Sequence, residues 1–345
     1  MRSMEYIIPP QPTKALSILS LVLFFHTGCV PMSNLNRKSN SPLDGKNLGP
    51  ATFSPDGNEI VFSAEDKGGK TSHIYKAKVD GTGVVQLTRG DTYDKAPAFS
   101  PDGKRVVYSK IFEHKQADLY LVNSDGTQET RLTSGPADDS GPIFSPDGRK
   151  IYFIRAEWFG HYSPIARSGW HDSDICSISM EGGDLKKITS SKYFRIMDLS
   201  ISPDGRTLMA AIKDGESPYT IWMLPIDNPV NMRPFKPNFD MYKIRYDELL
   251  DPELSPNGRQ ILFSVYRRYG DIFVIDLESN ATHVLHYKEH YVYYPHFSKD
   301  GTKIIFRKDS RSGLFRTHEE SKYYLVNTDG TGLRAIDFKQ GLASP

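Results

Sequence analysis

One ten-residue pattern occurs six times along this chain of 345 residues. Its clearest copy spans residues 144–153 and reads Phe-Ser-Pro-Asp-Gly-Arg-Lys-Ile-Tyr-Phe. The intervals between copies, 43 to 57 residues, are close to the length of one four-stranded propeller blade. The pattern therefore predicts a repeat protein. The serines that mark the copies are Ser54, Ser100, Ser145, Ser202, Ser255 and Ser298.

Each copy has the composition of a tight turn between two strands. Proline presets its own φ for the first central position of a turn, and aspartate can bond the backbone two residues further on. Glycine accepts the positive φ that other residues adopt only with strain. The fifth copy has Asn257 in place of the aspartate and the sixth has Lys299 in place of the proline, but both keep the glycine. We therefore expect a hairpin at every copy.

The spacing and the β-branched and aromatic runs between the turns predict an all-β fold. We expect a six-bladed β-propeller with four antiparallel strands in each blade, over residues 47–337, and almost no helix. This range leaves no room for a second domain. Residues 29–46 are polar and are interpreted as a flexible tether, and residues 338–345 as a C-terminal tail.

The amino terminus has the features of an export signal. Arg2 and Lys14 flank a modest basic region, and Ala15 to Phe25 is a mostly apolar run that is too short to span a membrane. Small residues then precede Cys29, as at the cleavage and lipidation site of bacterial lipoproteins. We expect residues 1–28 to be a signal peptide and Cys29 to be lipidated. The alternatives are plain secretion or a retained anchor, and an apolar stretch that is fortuitous. The expected location is the bacterial periplasm or outer membrane.

Charge and cysteine content exclude several classes of function. Without residues 1–28 the chain has 41 basic and 41 acidic residues, so nothing indicates binding to nucleic acid. If Cys29 is lipidated, Cys176 has no cysteine partner, and its apolar surroundings in sequence predict a buried core residue and not a reactive thiol. We expect a monomer.

The repeat resembles the WD-like propeller repeat of TolB-type proteins. The resemblance covers about 290 residues and rests on Phe-Ser-Pro-Asp-Gly, Ile-x-Phe, Asp-x-Tyr, Asp-Gly and Leu-Thr in regular succession. It implies the propeller fold. The amino-terminal α/β domain of TolB has no counterpart in this sequence. Similar propellers also occur attached to peptidases and in polysaccharide lyases, so the resemblance does not define a function.

Three insertions predict a binding surface on one face of the propeller. The Ser-Pro-Asp-Gly and Asp-Gly turns share one face, the turn face, whereas the loops after each second strand and between repeats share the other, the loop-rich face. The insertions 156–173, 235–248 and 308–322 lie on the loop-rich face and are rich in aromatic residues and arginine, which are enriched at binding hot spots. The alternative is that these rings cap the propeller's own core. The candidate partner-binding residues are Trp158, Phe159, Tyr162, Trp170, Phe239, Tyr242, Arg245 and Phe315.

The histidines and the carboxylates near the innermost strands are the residues that could form an enzymatic site. A metal site combining His296 with His161 or His171 is conceivable, because some lyases with this repeat bind a divalent metal through propeller histidines. Ordinary surface or inter-blade histidine is the simpler interpretation. The four carboxylates near the innermost strands could ring the mouth of the channel, and such a ring is usually water-filled: Asp94, Asp139, Asp198 and Asp251.

The sequence favours a non-enzymatic protein. It contains no Gly-x-Ser-x-Gly nucleophile elbow, no phosphate-binding loop and no zinc-ligand spacing. The leading hypothesis is an envelope-tethered propeller, without catalytic residues or cofactor, that binds a protein or peptide through its loop-rich face. The alternative is a metal-dependent, carbohydrate-active enzyme with its site at the channel mouth.

Overall fold

The computed structural model describes residues 41, 43–112, 116–159, 169–214, 218–237, 248–266, 270–287, 291–312 and 317–339. For residues 158–159, 169–170, 266, 310–312 and 317–320 it describes the backbone alone. These residues form 24 strands and one short 3-10 turn, Pro229–Asn231, so the prediction of an all-β propeller is confirmed. No helix in the described part of the chain is long and apolar enough to cross a membrane.

The strands follow one another in groups of four. The first two groups are β1 (Asn47–Phe53), β2 (Glu59–Glu65), β3 (Ser72–Lys78), β4 (Val85–Gln86), β5 (Tyr93–Phe99), β6 (Arg105–Ile111), β7 (Ala117–Asn123) and β8 (Thr130–Arg131). The next two are β9 (Asp138–Phe144), β10 (Lys150–Phe159), β11 (Gly169–Ser179), β12 (Lys186–Lys187), β13 (Arg195–Ile201), β14 (Thr207–Lys213), β15 (Thr220–Pro225) and β16 (Arg233–Pro234). The last two are β17 (Glu248–Leu254), β18 (Gln260–Tyr266), β19 (Asp271–Asp276), β20 (Thr282–His286), β21 (Tyr291–Phe297), β22 (Lys303–Ser312), β23 (Thr317–Asn327) and β24 (Arg334–Ala335).

The prediction of six separate four-stranded blades is wrong. The hydrogen bonds give four separate four-stranded blades, β9–β12, β13–β16, β17–β20 and β21–β24, whereas β1–β8 form one eight-stranded sheet. The first two groups are joined where β3 pairs with β5 in parallel, through Ser72 and Tyr93. The Ser72 N–H donates to the Thr92 carbonyl at 3.1 Å, and the Ser72 hydroxyl donates to the Asp94 carbonyl at 2.8 Å. Turn spacing locates the strands but does not show which edges bond to each other.

Each of the six turns between the first and second strand of a group is closed by a serine and by an acidic or amide side chain. The serine hydroxyl donates to the side-chain oxygen two residues on, at 2.5–2.7 Å. The same hydroxyl accepts the backbone N–H five residues on, at 2.9–3.0 Å. The hydroxyl bond lowers the pKa of Asp147, and likewise lowers that of Asp300 to about 2. The predicted turn chemistry is confirmed, and the serine supplies its central contact.

The second strand of each group is buried through its middle. In β2, β6 and β14 the five central residues are all buried, because each strand packs against the neighbouring repeats on both of its faces. Such strands consist mainly of consecutive apolar residues and do not alternate. Threonine hydroxyls support three of the outer edges: Thr88, Thr133 and Thr189 each accept a backbone N–H of the third strand at 2.9 Å.

An aromatic cluster connects the two ends of the described chain. The Phe62 ring lies 5.4 Å from the Tyr323 ring and 5.2 Å from the Phe338 ring, measured between centroids. The Tyr323 hydroxyl donates to the Gly49 carbonyl at 2.8 Å, and the Lys339 N–H donates to the Gly81 carbonyl at 3.0 Å. These contacts join the last repeat to the first without exchanging a strand. Leu43 and Phe338, which flank residues 47–337, pack into this cluster.

Replacement of Gly148 by valine should destabilise the fold through its backbone. Gly148 has a φ of +71°, and an added Cβ would be 3.5 Å from Pro101, an ordinary contact distance, so strain and not crowding is the cause. We expect the free energy of unfolding to fall by about 1–3 kcal/mol in urea denaturation. Arg149→Val, at an exposed position of the same turn, is the control and should change it little. Equal losses in the two variants would contradict this account.

Candidate functional site: the central cavity

A cavity of about 650 Å³ lies at the centre of the innermost strands. Its walls include the beginnings of β1 and β5, the ends of β2 and β6, and the first residue of β3. All of these strand ends lie opposite the Ser-Pro-Asp-Gly turns, so the cavity opens on the loop-rich face. Its volume is within the usual range of ligand sites, about 300–1,000 Å³.

The cavity wall is built from a β-bulge that recurs in all six innermost strands. In each strand the register shifts by one residue around the fourth residue before the turn serine. We call these residues the bulge ring. Five of the six ring residues, all except Pro50, have φ between 50° and 60°, which is the left-handed region. Five of the six, all except Asp251, line the cavity. The bulge ring consists of Pro50, Ala96, Gly141, Asp198, Asp251 and Tyr294.

The left-handed conformation is unusual for most of these residues. Ala96, Asp198, Asp251 and Tyr294 are not glycine, and each such residue stores about 1–3 kcal/mol of strain. Strained backbone of this kind is concentrated at functional sites, and bulges re-aim side chains next to them. The backbone strain of the bulge ring therefore lowers local stability at the residues that shape the cavity.

The two halves of the bulge ring differ in chemistry. Pro50, Ala96 and Gly141 are small and apolar, so their half contributes open space. Asp198, Asp251 and Tyr294 form a polar half. All six residues of the bulge ring can be located in the sequence, because each stands four residues before a turn serine. The sequence gives no reason to select that position until the bulge is known.

Carboxyl groups in the polar half are close enough to perturb one another. The Ser264 hydroxyl donates to Asp251 Oδ2 at 2.6 Å, and the Asp251 N–H donates to Asp198 Oδ2 at 3.4 Å. Burial, together with the charge of Asp251, raises the pKa of Asp198 from 3.8 to about 8. Burial also raises the pKa of Asp251. This half therefore favours a protonated carboxyl group at neutral pH.

His296 lies next to this carboxyl pair. Its Nδ1 is 3.4 Å from Glu253 Oε2, and its side chain is 29% exposed. Burial opposes the charged imidazole, but the hydrogen bond and charge of Glu253, with the nearby Asp251, outweigh it and raise the pKa of His296. The raised pKa favours the charged imidazolium form beside the carboxyl groups of the polar half.

The carboxylates expected at the channel mouth fall into two pairs. Asp198 lines the cavity and Asp251 adjoins it, but Asp94 and Asp139 stand two residues earlier in their strands and are buried at 0% and 1% exposure. Asp139 makes two 2.7 Å bonds to Arg155. The bulge accounts for the difference, because it turns the fourth residue before the serine towards the cavity, and Asp94 and Asp139 stand two residues before that position. The expectation of a four-carboxylate ring is wrong for Asp94 and Asp139.

Two predicted insertions are partly strands. The β10–β11 pairing continues to Phe159 opposite Gly169, and Trp158 is directly opposite Trp170. The β22–β23 pairing continues to Ser312 opposite Thr317. Two extended hairpins therefore rise from the loop-rich face. Of the other residues named from sequence, Cys29, His161, Tyr162, Phe239, Tyr242, Arg245 and Phe315 lie outside the described residues.

The histidines named as metal candidates have other neighbours in the described part of the chain. His296 contacts Glu253, and the ring of His171 lies against that of Phe194 with centroids 4.4 Å apart. Within the described residues, no group of three or more His, Cys, Asp and Glu side chains is placed to hold a metal ion. Cys176 is buried, which raises the pKa of its thiol to about 11 and confirms the core interpretation.

Comparisons with known proteins support the fold. Residues 91–228 match the model of the TolB beta propeller domain. TolB from Acinetobacter baumannii is similar with a TM-score of 0.57 and 18% identity, over 84% of this chain and 62% of that one. No curated protein matches the sequence. The chain thus contains a TolB-like β-propeller and spans less than two thirds of TolB's length.

Proteins with enzymatic names share the same fold. An oligogalacturonate lyase from Vibrio parahaemolyticus has a TM-score of 0.56 and 14% identity, over 86% of this chain and 79% of that one. A puromycin-hydrolyzing peptidase from Mycobacterium tuberculosis has a TM-score of 0.57 and 11% identity, over 88% of this chain and 56% of that one. At identities this low the similarity shows a shared fold and no shared function. The evidence for a function therefore lies in the cavity.

The stability of the protein should depend on the protonation of Asp198. Its pKa is raised in the folded state, so the folded protein holds this proton more tightly than the unfolded chain. Stability should therefore fall as pH rises from about 4 to about 8. Asp198→Asn keeps a side-chain acceptor and should lose less stability than wild type between pH 5 and 8 in urea denaturation.

Asp204→Asn is the control for this experiment. Asp204 lies in a turn-face loop, and the Ser202 hydroxyl lowers its pKa. Its contribution changes only at acidic pH, so the variant should keep the wild-type profile between pH 5 and 8. Parallel profiles for wild type and Asp198→Asn would show that Asp198 is already ionised throughout this range.

Proposed function

We propose that this protein is an exported, envelope-tethered propeller that binds a protein or peptide partner at the central cavity and extended hairpins of its loop-rich face. The single observation that carries the proposal is the 650 Å³ cavity, which opens on the same face as the two hairpins. The strained bulge ring supports it, because the strain is concentrated at the cavity wall.

The hairpins favour a partner larger than a metabolite. They extend the surface beyond the cavity, and the β10–β11 hairpin carries Trp158, Phe159 and Trp170 on adjoining positions of paired strands. A cavity alone suits a small ligand, whereas an aromatic-rich rim around it adds the area that a protein or peptide contact needs. The partner is therefore expected to place a short segment in the cavity and to contact the rim.

Export and anchoring form the second part of the proposal. The apolar run before Cys29 supports a lipoprotein signal, and the TolB-like fold supports an exported protein. Attachment through a lipid on residue 29 would leave the polar residues 30–42 as the connection to the propeller, which begins with Leu43 packed in its core. We propose the periplasm or outer membrane as its location.

A bulky residue in the cavity should block partner binding. Ala96→Tyr is suited to this test, because Tyr294 occupies the equivalent bulge with nearly the same φ, 55° against 50°. The control, Lys104→Tyr, adds the same side chain at an exposed position of the turn face. Cross-linked capture from native envelope extract should recover the same polypeptide with wild type and Lys104→Tyr but not with Ala96→Tyr. Equal recovery by all three proteins would refute binding at the cavity.

The hairpin tryptophans should affect binding more than stability. Trp158→Ala and Trp170→Ala remove side chains that the repeat architecture does not require, and Tyr242→Ala extends the test to the second insertion. We expect melting temperatures close to that of wild type and a loss of partner affinity of about 1–3 kcal/mol. Thermal denaturation and a binding titration of the captured partner measure the two effects. Early melting would show instead that these rings belong to the core.

The lipid anchor is tested separately at Cys29. In a bacterial host, the wild-type protein should incorporate labelled fatty acid and partition into detergent, and Cys29→Ser should do neither. Cys176→Ser is the matched control, because Cys176 is buried at 2% exposure and should not affect lipidation. A soluble, unlabelled wild-type protein would disprove the anchor and leave the binding proposal intact.

A further inference from the structure

Backbone N–H groups of the bulge ring point from one innermost strand towards the previous one. The Tyr294 N–H donates to Asp251 Oδ2 at 3.2 Å, and the Asp251 N–H donates to Asp198 Oδ2 at 3.4 Å. In both contacts, a bulge-ring N–H is received by the bulge-ring side chain of the preceding repeat. In the polar half, the Asp198 and Asp251 side chains thus satisfy the bulge N–H groups of the following repeats, those of Asp251 and Tyr294.

The small half of the ring has no side chains that could do the same. Ala96, Gly141 and Asp198 have the same register shift and nearly the same φ, 50°, 60° and 52°. By analogy with the Asp251 and Tyr294 N–H groups, we expect these three N–H groups to point towards the preceding ring residues, which are Pro50, Ala96 and Gly141. None of these three has a side-chain acceptor. Ala96, Gly141 and Asp198 all line the cavity, and their shared register and φ indicate that their three N–H groups are directed alike at its wall.

Charged residues around this half match an anion. Lys95 precedes Ala96 in β5, and Arg195 begins β13; both line the cavity. The acidic residues of the same wall are Glu65, Asp138 and Asp198. Asp138 accepts the Ala117 N–H at 3.0 Å, and burial raises its pKa and that of Asp198, which reduces their repulsion of an incoming anion.

We propose that the Ala96, Gly141 and Asp198 N–H groups, with Lys95 and Arg195, bind a carboxylate of the partner peptide. The proposal rests on the peptide-binding function above and adds the chemical group that the cavity selects. A carboxylate accepts several N–H bonds at once, and charge-assisted bonds are roughly twice as strong as neutral ones. The carboxylate comes either from the peptide's C-terminus or from an acidic side chain.

Three short peptides and one inorganic anion test this proposal on the full-length, ¹⁵N-labelled protein. The peptides are acetyl-Ala-Ala-Ala with a free C-terminal carboxylate, the same peptide as its amide, and acetyl-Ala-Glu-Ala-amide; the anion is phosphate. At least one carboxylate peptide should shift the Ala96, Gly141 and Asp198 amide resonances and bind about tenfold or more tighter than the neutral amide. The two carboxylate peptides identify which source is used.

Two results would overturn the proposal. One is equal binding, or equal absence of binding, for the neutral amide and both carboxylate peptides. The other is tighter binding of phosphate than of either peptide, which would assign these donors to a different anion. A failure here with cavity-dependent partner capture intact would leave the proposed function standing, whereas capture that Ala96→Tyr does not affect would remove the function itself.

A designed variant tests the site from the protein side. Ala96→Asp supplies the acceptor that Asp198 and Asp251 provide in the other half, in a backbone conformation that aspartate already adopts there. It should reduce carboxylate-peptide binding about tenfold or more, because its own carboxylate would accept the Gly141 N–H and repel an incoming carboxylate. The control is Gln128→Asp, which makes the same charge change at an exposed residue with a φ of 55° on the turn face, and should leave binding within about twofold of wild type. Equal affinities for the two variants would refute the site.

Discussion

The propeller depends on the hydrogen bonds that a serine hydroxyl makes in the turn between the first and second strand of each repeat. The hydroxyl donates to the side chain two residues on and accepts the backbone N–H five residues on, so one small group fixes both the turn and the start of the second strand. The second strands then carry continuous apolar runs into the space between neighbouring sheets. Six repetitions of this short-range constraint, closed by Phe62, Tyr323 and Phe338, give a rigid scaffold whose opposite face is free to vary.

The cavity follows from a second repeated device, the β-bulge four residues before each serine. A bulge changes the direction in which a side chain points, and here it brings six residues of widely separated sequence position towards one central space. The same backbone carries small residues in one half and carboxyl groups in the other. The asymmetry of the cavity is thus created by side-chain choice alone, on a nearly symmetric frame. Strain is tolerated because the flanking strands hold both ends of each bulge.

The propeller fold does not identify the function of this chain, whereas the side chains of its cavity give chemical information about a ligand. TolB, an oligogalacturonate lyase and a puromycin-hydrolyzing peptidase have similar propellers at 11–18% identity, so the frame is compatible with several chemistries. This chain combines a bulge ring that is small and apolar in one half, a carboxyl pair with raised pKa values and two extended hairpins at the same face. On the proposed function, this combination recognises a partner segment, and the N–H donors with Lys95 and Arg195 bind a carboxylate of that segment.

The sequence alone determined the strands, their order and the two faces, because turn chemistry is local: Ser145, Asp147 and Gly148 act on one another within four residues. It also placed Cys176 in the core and the insertions on the loop-rich face. Only the tertiary structure decided how strand edges pair, so Ser72 and Tyr93 join two groups into one sheet where separate blades were expected. It likewise decided that Asp198 faces the cavity while Asp139 pairs with Arg155, since a one-residue bulge redirects side chains and leaves no mark in hydrophobic periodicity.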